Sequence, residues 1–229
     1  MKPKVAVIRF PGSNCDRDTV QAFQSLGAET TILAYDREDL EDATHVVLPG
    51  GFSYGDYLRA GALAAHAPIM QALVDAISRG AIEVLGICNG FQILCERGIL
   101  PGALFANVSG QFRCSWEWVE VLTPPARWPG FRRGMRFRLP IAHADGAYRI
   151  GHSDREALWA QGSVFLRYVD PDGQETGEYN PNGSWEAIAG ISEGPVMGLM
   201  PHPERAMQPW LGSKDGRLFL SLWLQEVPQ

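Results

Sequence analysis

The stretch Val84-Leu85-Gly86-Ile87-Cys88-Asn89-Gly90-Phe91-Gln92-Ile93-Leu94 decides how this chain folds. The apolar run from Glu83 to Ile87 has the length and side chains of a buried strand. A helical pattern begins at once after the cysteine. Cys88 therefore stands at the apex of a sharp strand-to-helix turn. Serine hydrolases reach the same geometry with G-x-S-x-G, which lifts the nucleophile above the sheet edge. Gly86 and Gly90 let neighbouring backbone pass close to a strained residue without a Cβ clash. At a helix N-terminus, unpaired N–H groups and the helix dipole favour a thiolate, the form of cysteine that attacks a carbonyl carbon. A buried cysteine serving as a small apolar residue is the competing reading. The two flanking glycines at a strand–helix junction favour the nucleophile.

Upstream of that turn, strand and helix patterns alternate. Val5–Phe10 reads as a buried strand, Asp18–Leu26 as a helix stopped by Gly27, and Thr30–Ala34 and His45–Leu48 as two short strands. Tyr57–Arg79 reads as helical, interrupted at Pro68 and stopped by Gly80. Short apolar strands separated by helices imply a mostly parallel, doubly wound α/β sheet with helices on both faces. After Gly98 the pattern changes. Trp116–Leu122, Arg136–Ile141, Val164–Tyr168, Ala187–Ile191 and Val196–Met200 read as strands joined by turns such as Pro171-Asp172-Gly173 and Pro181-Asn182-Gly183. These are expected to extend the first sheet and add a small antiparallel flap in the C-terminal half. Gly216–Val227 closes the chain as an amphipathic helix. No repeat, low-complexity tract or linker interrupts residues 1–229, so a single domain is expected.

Composition narrows the function. With 20 Lys+Arg against 26 Asp+Glu the formal net charge is −6, which leaves no basic stripe to neutralise phosphates and argues against nucleic acid. The local cluster Arg127, Arg132, Arg133, Arg136 and Arg138 reads as a solvated loop or edge strand. No stretch of ~20 apolar residues is present, so no membrane span is expected. The 4 cysteines, at 15, 88, 95 and 114, form no C-x-x-C pair. Reduced thiols without a signal peptide point to the cytoplasm. No His/Cys/Asp cluster has metal-ligand spacing.

Functional groups in a parallel sheet collect at the carboxyl ends of the strands. Besides the Cys88 turn, two loops belong there. Pro49-Gly50-Gly51-Phe52-Ser53-Tyr54-Gly55-Asp56 is glycine-rich, with backbone N–H groups able to face a developing oxyanion. It lacks the G-K-[ST] of a phosphate loop. Met200-Pro201-His202-Pro203-Glu204-Arg205 offers a base and an orienting acid. In an extended segment His-x-Glu puts both side chains on one side, and the flanking prolines stiffen it. His143-Ala144-Asp145 and His152-Ser153-Asp154 share that spacing, so chemistry alone ranks His202 first, His143 second and His152 third.

Taken together these motifs resemble a class I glutamine amidotransferase domain of the triad type, which has a flavodoxin-like fold. Phe10-Pro11-Gly12-Ser13-Asn14-Cys15-Asp16, Pro49–Gly61, Gly86–Gln92, Pro140-Ile141-Ala142-His143 and Gly198–Arg205 carry the resemblance over nearly the whole chain. It is closer still to the branch in which the glutaminase is a separate small subunit of a purine-biosynthetic synthetase. The resemblance implies Cys88 as nucleophile, His202 as base and Glu204 as its orienter. It also implies an oxyanion hole from the Gly51 and Asn89 N–H groups, and Gly50, Phe52, Gln92 and His143 bordering the bound L-glutamine. That branch usually continues the histidine motif as His-Gly-Glu-Gly; here it reads His143-Ala144-Asp145-Gly146. No cofactor is expected in this chain. ATP and Mg are expected on a large synthetase subunit that activates formylglycinamide ribonucleotide, with a small bridging subunit as third partner. The rival readings are a glutaminase for another pathway, a stand-alone cysteine hydrolase, or a non-catalytic docking module.

Overall fold

A computed structural model describes residues 2–173 and 179–225. In chain order, β1 (Lys4–Arg9), α1 (Asp16–Ser25), β2 (Glu29–Ala34), β3 (His45–Leu48), α2 (Pro68–Ser78), β4 (Glu83–Ile87) and α3 (Asn89–Glu96) come first. Then follow β5 (Ala103–Phe105), β6 (Arg113–Val121), β7 (Arg136–His143), β8 (Ala147–Arg149), α4 (His152–Ala160), β9 (Val164–Val169), β10 (Ile188–Glu193), β11 (Val196–Leu199) and α5 (Asp215–Trp223). The chain divides into two compact units, Met1–Leu100 with Gly194–Gly198, and Pro101–Glu193 with Leu199–Gln229.

In the first unit the strand order is β2-β1-β3-β4-β11. β1 pairs in parallel with both β2 and β3, and β3 with β4. Val5–Ile8, Val46–Leu48 and all of β4 are buried, as strands are when a parallel sheet is covered on both faces. The chain winds one way from β1 to β2 and the other way through β3 and β4. The order thus reverses between β1 and β3, where open α/β sheets bind ligands beyond the carboxyl ends of their strands. The loops Pro11–Cys15 and Pro49–Asp56 leave the sheet at that point.

One expected element differs. The helix read over Tyr57–Arg79 is replaced by irregular backbone, a short 3-10 turn at Ala64–His66, and α2 from Pro68. Leu58 and Gly61 have φ of 70° and 82°, which no helix accommodates. A Cβ at Gly61 would lie 2.8 Å from the Ile93 nitrogen, so the segment lies directly against α3. Pro68 opens α2 instead of interrupting it, because the first helical position needs no N–H donor and suits proline's φ.

In the second unit the order β10-β9-β6-β7 is antiparallel throughout. β5 and β8 form a separate antiparallel pair, whereas the strands read from the sequence in this half all join the large sheet. The sequence patterns did not reveal β5, β8 or α4, which are short or weakly amphipathic. β7 alternates, burying Phe137, Leu139, Ile141 and His143 on one face. Phe131, Phe165 and Phe219 pack edge-on beneath it, with Phe131 centroids 5.0 Å from each of the other two. Phe219 comes from α5, which covers residues 215–223; Val227 of the expected helix lies outside the described residues. α5 is fastened at its first turn. The Asp215 carboxylate accepts the Arg138 backbone N–H at 2.7 Å. Gly216 lies so near the Pro203 carbonyl that any Cβ would overlap it. The arginine cluster lies in a loop and on β7, the last strand in the order, with Arg138 stacked 5.5 Å over Trp116.

Candidate active site: a cysteine turn and two buried imidazoles

In the first unit, β4 ends at Ile87 and α3 begins at Asn89, so Cys88 alone makes the turn. Its φ of 51° and ψ of −104° are strained for a residue with a Cβ, at a cost of ~1–3 kcal/mol. Close backbone approach holds it there. A Cβ on Gly90 would overlap the Leu48 carbonyl oxygen, and one on Gly86 would come within 2.8 Å of the Gly90 carbonyl carbon. Only glycine lets β3, β4 and α3 meet this tightly. Cys88 is buried and forms no disulfide. Of the other three cysteines, Cys95 is packed within α3, where burial drives its thiol pKa well up. Cys15 immediately precedes α1, its Sγ lying 3.2 Å from the Asn14 amide oxygen, and Cys114 is exposed on β6.

The glycine loop is stitched to the loop after β1. The Phe52 N–H donates to the Gly12 carbonyl at 3.1 Å, the Tyr54 N–H to Pro11 at 2.6 Å, and the Cys15 N–H to Gly50 at 3.2 Å. Gly51 sits between these bonds opposite Ser13, where a Cβ would approach the Ser13 Cα to 2.8 Å. The Asn89 side chain joins this loop to α3. Its amide oxygen accepts the Ser53 N–H at 3.2 Å, and its NH2 donates to the Gln92 side-chain oxygen at 2.9 Å. Gly50, Gly51, Phe52, Cys88, Asn89 and Gln92 are thus built into one corner of the first unit. The side-chain role of Asn89 was not legible, because it depends on a loop 36 residues away. Just beyond, Tyr54, Asp56 and Leu58 all have positive φ, and Tyr57 and Leu58 are 74% and 86% exposed.

In the second unit, His202 and Glu204 are buried, with Nδ1 2.6 Å from Oε1. A carboxylate so placed favours the ring proton on Nδ1. The His202 N–H donates to the Pro140 carbonyl on β7 at 2.8 Å. That segment is a 3-10 turn opened by Pro203. His143, the other buried imidazole, meets no acid two residues on. Its Nδ1 faces the Asn107 amide oxygen at 3.1 Å. Its pKa is lowered to about 4, first by burial and second by the neighbouring charge of His202. His152 is exposed at the start of α4. Asn107 carried no signal in the sequence, since it lies 36 residues from its imidazole and between no periodic elements.

A doubly wound α/β sheet that delivers a cysteine on a strand-to-helix elbow places the chain among enzymes with an elbow nucleophile. Similarity to known proteins narrows that class. Residues 2–222 match the family described as CobB/CobQ-like glutamine amidotransferase domain, and the chain belongs to this family. Phosphoribosylformylglycinamidine synthase subunit PurQ of Thermomicrobium roseum is 47% identical over 95% of this chain and 94% of its own length. Its namesake in Moorella thermoacetica is 48% identical over the same shares. Among solved structures, a chain of PurLQS from Thermotoga maritima is 42% identical with a TM-score of 0.85, covering 98% of this chain and 99% of its own. A glutamine amidotransferase from Thermotoga maritima, 19% identical with a TM-score of 0.57 and covering 99% and 92%, shares the fold alone. No helix of the described residues is long and apolar enough to cross a membrane.

Proposed function

We propose that this chain is the glutaminase subunit of phosphoribosylformylglycinamidine synthase. The observation that carries this reading is near-full-length identity of 47% and 48% to subunits of that name. In this reading the two compact units work as one glutaminase domain. The Cys88 thiolate attacks the carboxamide carbon of L-glutamine. The oxyanion is met by the Gly51 and Asn89 N–H groups, each worth ~3 kcal/mol in the transition state. His202 gives its Nε2 proton to the departing nitrogen, and the C–N bond breaks to release ammonia and leave a glutamyl thioester. The same nitrogen then takes a proton from water, whose oxygen attacks the thioester, and glutamate leaves with the thiol restored. Glu204 fixes the imidazole tautomer throughout. Chain connectivity supports this division of labour. β11, the neighbour of β4 in the first unit, ends at Leu199, three residues before His202.

Ammonia passes to a large synthetase subunit, where ATP and Mg activate formylglycinamide ribonucleotide for amidine formation, and a small bridging subunit completes the complex. The work is cytoplasmic. Gly50, Phe52 and Gln92 border the glutamine. To test the reading, mix the chain with those subunits, ATP, acceptor and glutamine carrying nitrogen-15 in the amide, with unlabelled ammonium as competitor. The amidine is expected to carry the label. Free displacement of label by ammonium would refute enclosed transfer. Amination of a different acceptor would refute the pathway.

A further inference from the structure

The arginine turn is a feature of this chain that the glutaminase chemistry leaves unused. Between Glu120 and Asp145 no acidic residue occurs, yet Arg127, Arg132, Arg133, Arg136 and Arg138 all do, on a chain whose formal net charge is −6. The second unit holds these cations in a fixed array. Trp128 and Phe131, in the turn between β6 and β7, are buried in the core. The Met135 N–H donates to the Arg132 carbonyl at 3.1 Å, and the Gly134 N–H to the Val121 carbonyl at 2.9 Å. Arg127, Arg132, Arg133 and Arg136 are exposed. Arg136 and Arg138, two residues apart on β7, share one face of the strand. Glu120 stands opposite Arg136 on β6, and Arg167 reaches that carboxylate at 3.9 Å, so one acid faces two arginines. Among the described residues no carboxylate pairs with the guanidinium of Arg132, Arg133 or Arg138. Like charges held this close repel one another, a cost that an anionic partner reverses.

Aromatic surface adjoins the arginines. The Arg138 guanidinium stacks 5.5 Å over Trp116, and its Nη1 donates to the Gly212 carbonyl at 3.4 Å. Gly212 closes the 3-10 turn Pro209–Leu211 and lies so near the Trp116 ring that a Cβ would come within 2.5 Å of it. That contact seats a turn on which Trp210 is 80% exposed and Leu211 49%. Tryptophan and arginine are the residues that dominate binding energy at protein interfaces. We propose that the arginine turn, the first half of β7 and the Trp210 turn form one docking surface for a protein partner that presents carboxylates around an apolar socket. Charge complementarity sets the partner's sign, and the exposed indole sets the socket. The excess acid on the rest of the chain repels a long polyanion, which favours a protein over nucleic acid. The inference rests on the reading of this chain as a synthetase subunit, so the partner is another subunit of that complex. The surface adjoins the imidazole corner, because Arg138 is two residues from Pro140, whose carbonyl accepts the His202 N–H at 2.8 Å. Unpaired arginines draw an acidic surface in from a distance, and the indole holds it once water is excluded.

The test measures binding of the full chain to its partner subunits, immobilised for surface plasmon resonance. Trp210→Ala is expected to raise the dissociation constant ~30-fold, chiefly through faster dissociation. The double variant Arg132→Gln, Arg133→Gln is expected to slow association ~10-fold at low salt and to match the wild type at high salt. All three side chains are exposed, so urea unfolding midpoints are expected to stay at the wild-type value. Binding that neither variant changes would overturn this inference alone, and so would an arginine effect that salt does not screen. Sedimentation of the chain by itself, with and without RNA, reads the other occupants. A dimer that Trp210→Ala splits would seat a second copy on this surface. Retained RNA that the arginine variant releases would seat a polyanion there. Either result would overturn the proposal. A wild-type chain that does not bind the partner subunits would overturn the reading of the chain as a synthetase subunit as well.

Discussion

The cysteine corner and the imidazole corner are built by opposite means. Around Cys88, position comes from missing side chains: Gly51, Gly86 and Gly90 sit where a Cβ would strike backbone. Around His143 and His202, position comes from polar partners, a carboxylate for one ring and an amide for the other. The first device fixes a shape and leaves the chemistry to the sulfur. The second fixes chemistry, because the partner of Nδ1 decides where the ring proton sits.

The sharpest way to break this contrast is to give His202 the kind of partner His143 has. Glu204→Gln replaces a carboxylate by an amide of the same length. It is expected to lower kcat for glutamine ~10³–10⁴-fold in the complex, read by release of glutamate. A loss under tenfold would show that the acid is dispensable and the two imidazoles are not distinguished by charge. Next in size, Gly90→Ala forces a methyl group against the Leu48 carbonyl. It is expected to destabilise folding by ~2–3 kcal/mol, measured by urea unfolding. Unchanged stability would mean that the cysteine corner does not depend on close backbone approach.

The imidazole corner should also announce itself in the pH dependence of stability. The folded pKa of His143 is lowered to about 4, below the ~6.5 of an unfolded histidine. The unfolded chain therefore binds the proton first, and stability is lost as pH falls from 6.5 toward 4. Between pH 7 and pH 5 this costs ~2 kcal/mol. Urea unfolding of the wild type should show that slope in excess of His143→Gln, and equal slopes would mean the ring is not held neutral. The smallest effect is expected at the seam of the cysteine corner. Asn89→Ala leaves the Ser53 N–H without its 3.2 Å acceptor and is expected to cost ~1–2 kcal/mol. It should also speed amide exchange at Ser53, and unchanged exchange there would remove Asn89 from the loop's support.

What could be read from the chain alone follows the same division. The elbow was legible because its whole logic lies within Gly86–Gly90, and the His202–Glu204 pair because its partners are two residues apart. The parallel strands were legible because burial on both faces leaves continuous apolar runs. Tyr57–Leu63 was misread as helix because its apolar side chains have helical spacing, while the backbone follows its contact with α3 at Gly61. Asn107 was invisible because an asparagine in a turn looks the same whether or not a histidine 36 residues on leans against it.

The tie between α5 and the Pro203 carbonyl, through Gly216, has a consequence in time. A ribosome releases the segment Pro201–Arg205 before it releases α5, and domains fold roughly in the order they emerge. Until Asp215 reaches β7 and Phe219 enters the aromatic cluster, the turn that carries Glu204 lacks the support of α5 and rests on the bond from the His202 N–H to the Pro140 carbonyl. A nascent chain can therefore own its nucleophile elbow early and still be unable to spill ammonia. Competence arrives late in translation, once α5 has packed against that turn.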